Sequence, residues 1–245
     1  MGRRPGLDAS PGRRPSRLFA RPQEAVFPSE GSTEGGRRSR LRPDDSAFLE
    51  TIRSYDESAQ DYADRFAGAD LRALHQRFLN LVSPGDKPVL DAGCGSGRDC
   101  ELFHLSGLRT VGADISVGLL RLAAERTRAK LVRCDLRSLP FGDECFQGVW
   151  SCASLVHLEL QDAQKAVREF CRILIPGSPL FVAVRHGTGQ EWRSDNKGGR
   201  RWFQLYERTT LEEVLRSSGF SIIESEVAAG SVVGRWVNIF ARKAR

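Results

Sequence analysis

No stretch of this 245-residue sequence is apolar for long enough to span a bilayer, and no hydrophobic signal segment opens it. Membrane insertion is therefore not expected. Lysine is absent from residues 1–43, which carry ten arginines against Asp8, Glu24, Glu30 and Glu34. The formal net charge of +6 belongs to that stretch; the rest keeps 27 of the 37 basic residues and 27 of the 31 acidic ones. A neutral remainder carries no overall electrostatic footprint for nucleic acid, although a local patch is compatible with it. The six cysteines (Cys94, Cys100, Cys134, Cys145, Cys152, Cys171) contain no Cys-x-x-Cys pair and no zinc-ligand spacing. No metal site is expected. Several of them sit in apolar runs as small hydrophobes, and a reducing cytoplasmic setting is the simplest one. There is no long internal repeat.

Residues 1–43 are rich in Arg, Pro, Gly and Ser and show no apolar period, the composition of a disordered tail with no function or a loose interaction. An Arg-rich transit peptide is the alternative, but recurring prolines interrupt the amphipathic helix it would need. An over-extended start of the chain is a further alternative. Residues 44–245 then read as one domain. Within it, residues 44–82 predict two amphipathic helices, with Asp45 or Ser46 as the first cap and Tyr55, Ala59, Tyr62 and Phe66 at helical spacing.

The chain is organised around Val89-Leu90-Asp91-Ala92-Gly93-Cys94-Gly95-Ser96-Gly97-Arg98-Asp99. It reads as a buried strand, a glycine turn and a helix, the geometry that brings backbone close to a nucleotide-like ligand at the carboxyl end of a strand. It is not the dinucleotide fingerprint: the third glycine comes one residue early, and Arg98 stands where the last fingerprint glycine belongs. Asp91 would repel a pyrophosphate and attract a ligand carrying an amino group and a sulfonium.

Short strands and helices keep alternating. Strands are expected at 110–113, 131–134, 146–150 and 180–185. Helices are expected at 117–126, capped by Ser116, and at 162–174. Asp114 ends the second strand at the roughly 20-residue spacing where an acid takes ribose hydroxyls. Repeated βα units give a parallel sheet covered on both faces. After the polar stretch 186–200, residues 201–206 are a strand or an extended cover. A helix follows, capped by Thr209 or Thr210 and ended by Gly219. Strands 221–227 and 236–241 close the chain, and such a pair suggests one antiparallel strand added to the sheet.

The Asp-x-Gly-x-Gly-x-Gly pattern at 91–97, with the acids that follow it in order, resembles motif I of the class I S-adenosylmethionine-dependent methyltransferases. The pairs Tyr55-Asp56 and Tyr62-Ala63 resemble the helix before motif I in the type 11, ubiquinone-biosynthesis-like branch. The resemblance spans about residues 45–243. It implies a Rossmann-like, doubly wound α/β fold with seven strands, mostly parallel, the last antiparallel. It also implies S-adenosyl-L-methionine as cofactor and direct displacement of its methyl group by an O, N, S or C acceptor. Asp91, Gly93, Cys94, Gly95 and Gly97 would form the turn against the cofactor, with Asp114 at the ribose and Ile115 beside it as a further cofactor-binding residue. Asp135 would accept from the adenine amino group while Leu136 covers the ring, Ser151 would lie at the border with the acceptor, and Tyr55 and Tyr62 would cover the amino-acid end.

His157 follows that border and is a candidate proton acceptor, with a packing role as the alternative. With Arg185, Trp192 and Tyr206 it is also a candidate for holding the acceptor, the last two lying in the expected acceptor cover, 186–208. A small molecule is the expected acceptor, because the Asn/Asp-Pro-Pro-aromatic signature of DNA amino-methyltransferases is absent. Arg201-Trp202-Phe203-Gln204-Leu205-Tyr206, Leu211-Glu212-Glu213 and Gly234-Arg235-Trp236 are loosely similar to the eukaryotic wobble-uridine tRNA methyltransferases, which keeps tRNA as an alternative. A fold retained for binding after loss of turnover is another, and the intact Asp91, glycines and Asp114 speak against it. A nicotinamide oxidoreductase is disfavoured by the glycine spacing.

Overall fold

The computed structural model describes residues 45–194, 199–230 and 234–245. The expected tail, 1–43, lies outside the described residues. In chain order the elements are α1 (Ser46–Glu57), α2 (Ala59–Phe66), α3 (Arg72–Leu81), β1 (Val89–Ala92), α4 (Arg98–Leu105), β2 (Thr110–Asp114), α5 (Val117–Arg126), β3 (Lys130–Arg133) and β4 (Gly148–Cys152). There follow a 3₁₀ turn (Leu155–His157), α6 (Leu160–Ile173), β5 (Pro179–Arg185), β6 (Gln190–Ser194), β7 (Arg200–Gln204), α7 (Arg208–Ser217), β8 (Phe220–Ala229) and β9 (Arg235–Lys243).

The main sheet has seven strands in the order β3-β2-β1-β4-β5-β9-β8. β1 is buried along its length and pairs in parallel with β2 on one side and β4 on the other. β9 runs antiparallel to both β5 and β8, so it is the one reversed strand, as the doubly wound expectation required. Alternate residues serve the two faces. Leu90, Val149, Leu180 and Val182 join Phe170 of α6 and Leu215 of α7 in one core. Val89, Trp150, Phe181 and Phe240 join Phe78 of α3 and Phe103 of α4 in the other. Each such large side chain contributes about 1.5–3 kcal/mol by leaving water. The strand order turns outward in both directions between β1 and β4, and in an open α/β sheet that reversal leaves a crevice at the carboxyl ends.

Three local expectations change. The N-terminal region holds three helices rather than two. Ser58 leaves helical geometry at φ −115°, and its hydroxyl donates to the Ser54 carbonyl at 2.6 Å, a side-chain bond that competes with the helix ladder. Asp45 stands at the start of α1 without capping it, because its carboxylate pairs with Arg137. α7 begins at Arg208 after Glu207, so Thr209 and Thr210 lie inside its first turn. Ser116 does cap α5: its Oγ accepts from the Leu119 N–H at 3.1 Å. β6 and β7 form an antiparallel hairpin outside the main sheet. It is tied to α1 by the Trp202 N–H donating to Thr51 Oγ1 at 3.0 Å.

Candidate functional site

The glycine turn after β1 is pinned to β2: the N–H groups of Gly93 and Cys94 both donate to the Ala113 carbonyl, at 2.7 and 3.0 Å. Gly93 has φ +83°, and a Cβ there would fall 2.3 Å from the Ser154 Cβ, so this position admits no other residue without moving the neighbouring loop. Gly95, at φ +53°, faces open space; a Cβ there would meet only Tyr62, at 3.8 Å. Asp114 closes the turn from the end of β2. Its Oδ2 accepts from the Gly95 N–H at 2.8 Å and its Oδ1 from the Ser116 N–H at 2.9 Å. Burial raises its pKa against the pull of those N–H groups.

Two cavities meet at this turn. The smaller, about 90 Å³, has Gly95, Asp114, Asp135 and Tyr55 among its polar edge and Ile115, Leu119, Cys134, Leu136 and Leu158 as apolar wall. The larger, about 730 Å³, also reaches Gly93, Cys94, Gly95, Tyr55, Tyr62 and His157, and extends to Arg185, Phe203 and Trp236. An apolar slot with a carboxylate on its rim, beside a turn that presents bare backbone, fits a nucleoside with an amino-acid tail. The ribose hydroxyls would meet Asp114, and the base would lie between Ile115 and Leu136.

Not every expected residue reaches the cavities. Asp91 is buried beneath the turn, where its Oδ2 accepts from Cys100 Sγ at 3.2 Å, and it lines neither cavity. Burial first, and then the charge of Asp99, raise its pKa well above the ordinary carboxylate value. The expectation that its carboxylate faces a cationic ligand is therefore not met, since the side chain is turned into the interior. Asp135 does line the smaller cavity, but Arg137 takes both of its oxygens, from Nε at 3.1 and 2.9 Å. Arg137 also binds Asp45 and Asp162. Burial by itself would lower the pKa of Arg137; these three carboxylates overcome it and raise it. Gly97 sits behind the turn, and Ser151 is fully buried with its hydroxyl 2.7 Å from that of Ser154.

The border with the larger cavity is built after β4. Ala153 is held at φ +60°, uncommon for a residue with a Cβ and a mark of backbone constrained at a site. His157, on the 3₁₀ turn, has Nδ1 2.8 Å from the Trp202 carbonyl and Nε2 2.8 Å from the Tyr55 hydroxyl. A carbonyl only accepts, so Nδ1 carries the hydrogen and Nε2 accepts from Tyr55. Burial, with Arg201 adding to it, lowers the His157 pKa to about 4 despite the Trp202 bond, so the ring is neutral at pH 7. Burial likewise raises the Tyr55 phenol against the influence of Arg201, whose guanidinium carbon lies 4.4 Å from the Tyr55 ring centre. Tyr62 packs edge-on to Tyr55 at 5.0 Å.

Arg185 lines the larger cavity; Trp192 and Tyr206 do not. Trp192 is 40% exposed on the hairpin, under the Arg200 guanidinium. The neighbouring cross-strand pair Arg193 and Arg201 lines the cavity, and the pair Trp192 and Trp202 does not. Tyr206 is buried and its single O–H is shared between the carbonyls of Leu155 and Leu158, both at 3.3 Å, so it holds the turn that carries His157. Phe203, Arg193 and Trp236 are site residues that sequence reasoning did not single out. They stand at hairpin and β9 positions whose orientation depends on tertiary packing.

The family model of a methyltransferase domain matches residues 90–182. A protein of Encephalitozoon cuniculi assigned as a methyltransferase is 32% identical over 206 residues, 74% of this chain and 92% of that protein. The human probable tRNA methyltransferase 9B is 31% identical over 131 residues, covering 53% of this chain but 28% of its own length. The same fold occurs in the 1,6-didemethyltoxoflavin-N1-methyltransferase of Burkholderia thailandensis, solved with its acceptor and S-adenosylhomocysteine: TM-score 0.66, 20% identity, 84% of this chain and 93% of that one. Sheet order, glycine turn and extended similarity agree, and the chain belongs to the class I S-adenosylmethionine-dependent methyltransferases, in the branch with the type 11 methyltransferase domain.

Proposed function

We propose that this enzyme moves the methyl group of S-adenosylmethionine by direct displacement to a small acceptor held in the 730 Å³ cavity. The observation that carries this reading is the placement of that cavity. It begins at the glycine turn and His157 and ends against the hairpin, and Phe203, Arg193 and Arg201 from β6 and β7 form part of its wall. An enclosure of this size matches a small ligand. The hairpin is then the acceptor cover.

The cofactor, when bound, supplies an electrophilic methyl on a sulfonium; the chain supplies alignment and exclusion of water. Asp114 orients the nucleoside by its ribose, Ile115 and Leu136 clasp the base, and the backbone of Gly93, Cys94 and Gly95 with Tyr55 and Tyr62 shapes the space for the amino-acid end. Gly97, Asp91 and Ser151 support that wall from behind. Asp135 fixes the loop beneath the base through Arg137.

The Tyr55 hydroxyl receives the acceptor's proton while its own moves to His157 Nε2. A histidine with a pKa of about 4 does not ionise a resting alcohol. It accepts the proton once methylation has made the acceptor atom strongly acidic. Transfer of label from methyl-tritiated cofactor to fractionated small metabolites, with bulk tRNA in parallel, tests the reading. Label confined to small-molecule fractions is the expected result, and label confined to tRNA would overturn it. The tRNA reading is second, favoured by the similarity to the probable tRNA methyltransferase 9B over 131 residues.

A further inference from the structure

Among the described residues, the guanidinium at the far end of the large cavity has no carboxylate within hydrogen-bond distance of its Nε. Arg185, at the end of β5, has a side chain only 12% exposed. Its Nε has no hydrogen-bond partner among the described residues. Among the described residues its ion-pair partner is Glu191, whose Oε1 lies 3.7 Å from Arg185 Nε, beyond hydrogen-bond reach. That same oxygen is 2.6 Å from Arg193 Nε. Two guanidiniums therefore share one carboxylate, and the closer one takes it. Arg185 packs between two aromatic faces, its guanidinium carbon 6.0 Å from the Phe203 ring centre and 5.8 Å from that of Trp236. Burial and the neighbouring charge of Arg193 lower its pKa, which reports the same imbalance.

Buried charges in folded proteins are paired, because a desolvated ion without a partner is costly. A planar guanidinium fork at the edge of a ligand cavity is suited to binding an oxyanion in two-point fashion. The geometry also sets how far that anion lies from the chemistry. Phe203 touches both ends, with its ring centre 4.7 Å from that of His157 and 6.0 Å from the Arg185 guanidinium carbon. One aromatic ring separates the proton-accepting pair from the spare cation.

We infer that Arg185 is the anion-recognition residue of the acceptor cavity. The acceptor carries a carboxylate or phosphate oxyanion at one end and, across the breadth of Phe203, the atom that receives the methyl group. This rests on the reading of that cavity as the acceptor site. It is a specificity role: Arg185 binds the substrate's charge and takes no part in the displacement. Glu191 is engaged by Arg193 at 2.6 Å and only partly offsets the charge of Arg185, 3.7 Å away.

The test titrates the S-adenosylhomocysteine complex of the full chain with three monosubstituted benzenes: benzoate, its planar neutral isostere benzamide, and the bulkier phenyl phosphate. At least one anion should bind tenfold or more tightly than benzamide, and the tighter anion names the group. In Arg185→Gln that preference should fall to within twofold while affinity for S-adenosylhomocysteine is unchanged. Glu191→Gln, which removes the competing carboxylate, should strengthen anion binding severalfold. Equal binding of benzamide, or a preference that survives Arg185→Gln, would overturn the assignment. Should Arg185→Gln not fold, absence of any gain in Glu191→Gln would do so. A native chain that fails to bind S-adenosylhomocysteine would overturn the methyltransferase reading itself, and this inference with it.

Discussion

Replacing Asp114 by Asn tests the cofactor site most directly, because the change is nearly isosteric and removes only charge and one acceptor. In the native chain both carboxylate oxygens are engaged by backbone, Oδ2 with Gly95 N–H at 2.8 Å and Oδ1 with Ser116 N–H at 2.9 Å. An amide keeps one of these bonds and turns its NH₂ toward the other N–H, so one donor loses its acceptor and the turn shifts. The ribose hydroxyls lose a charged acceptor, and a hydrogen bond to a charged group is worth about 1.5–3 kcal/mol. The expected loss of affinity for S-adenosylhomocysteine is roughly 10- to 150-fold. The assay is calorimetric titration, with a thermal melt of the free protein to show that it folds. A cycle with the 2′-deoxy cofactor isolates the contact, because the substitution and the missing hydroxyl should then be less than additive. A folded variant whose affinity stays within twofold of native would refute the ribose assignment.

Three further outcomes are expected. Gly93→Ala places a Cβ 2.3 Å from Ser154 Cβ in a left-handed conformation; it should lower stability by more than ~2 kcal/mol and abolish cofactor binding, and a native-like melt with intact binding would count against the geometry of the turn. His157 has its folded pKa lowered to about 4 from an ordinary value near 6.5, so the unfolded chain binds the proton first as pH falls. Its share of stability is complete above pH ~6.5 and is lost down to pH ~4, on the order of 3 kcal/mol, so denaturant melts of His157→Gln should show a shallower decline with acid than native. The same variant should lose about 10²-fold in kcat with little change in the KM for cofactor. Tyr206→Phe removes the one O–H shared between two carbonyls at 3.3 Å that holds the His157 turn; a cost of about 1 kcal/mol with the acceptor KM within twofold is expected, and a large rise in KM alone would restore Tyr206 to the acceptor site.

The glycine turn, the acid ending β2 and the alternation of strand and helix could be read from the chain, because each is a local rule. A left-handed backbone favours glycine, a strand end needs an acceptor for the N–H groups of the next turn, and Ser116 caps the helix it precedes. The antiparallel last strand was likewise legible from two short apolar runs and the loop between them. Side-chain direction was not. Asp114 ends β2 and reaches the cavity, while Asp91 lies one residue inside the end of β1, opposite Gly112, and meets Cys100 in the interior. Tyr206 and Phe203 lie three residues apart in one segment; packing sends Tyr206 under the His157 turn and Phe203 into the cavity. The tautomer of His157 comes from the Trp202 carbonyl 45 positions away, and the spare charge of Arg185 from Glu191 siding with Arg193. The sequence by itself determined the fold and its cofactor turn, since those follow from backbone conformation and periodicity. The acceptor end was decided by the tertiary structure alone, because its properties belong to groups that meet only when distant segments pack and exclude water.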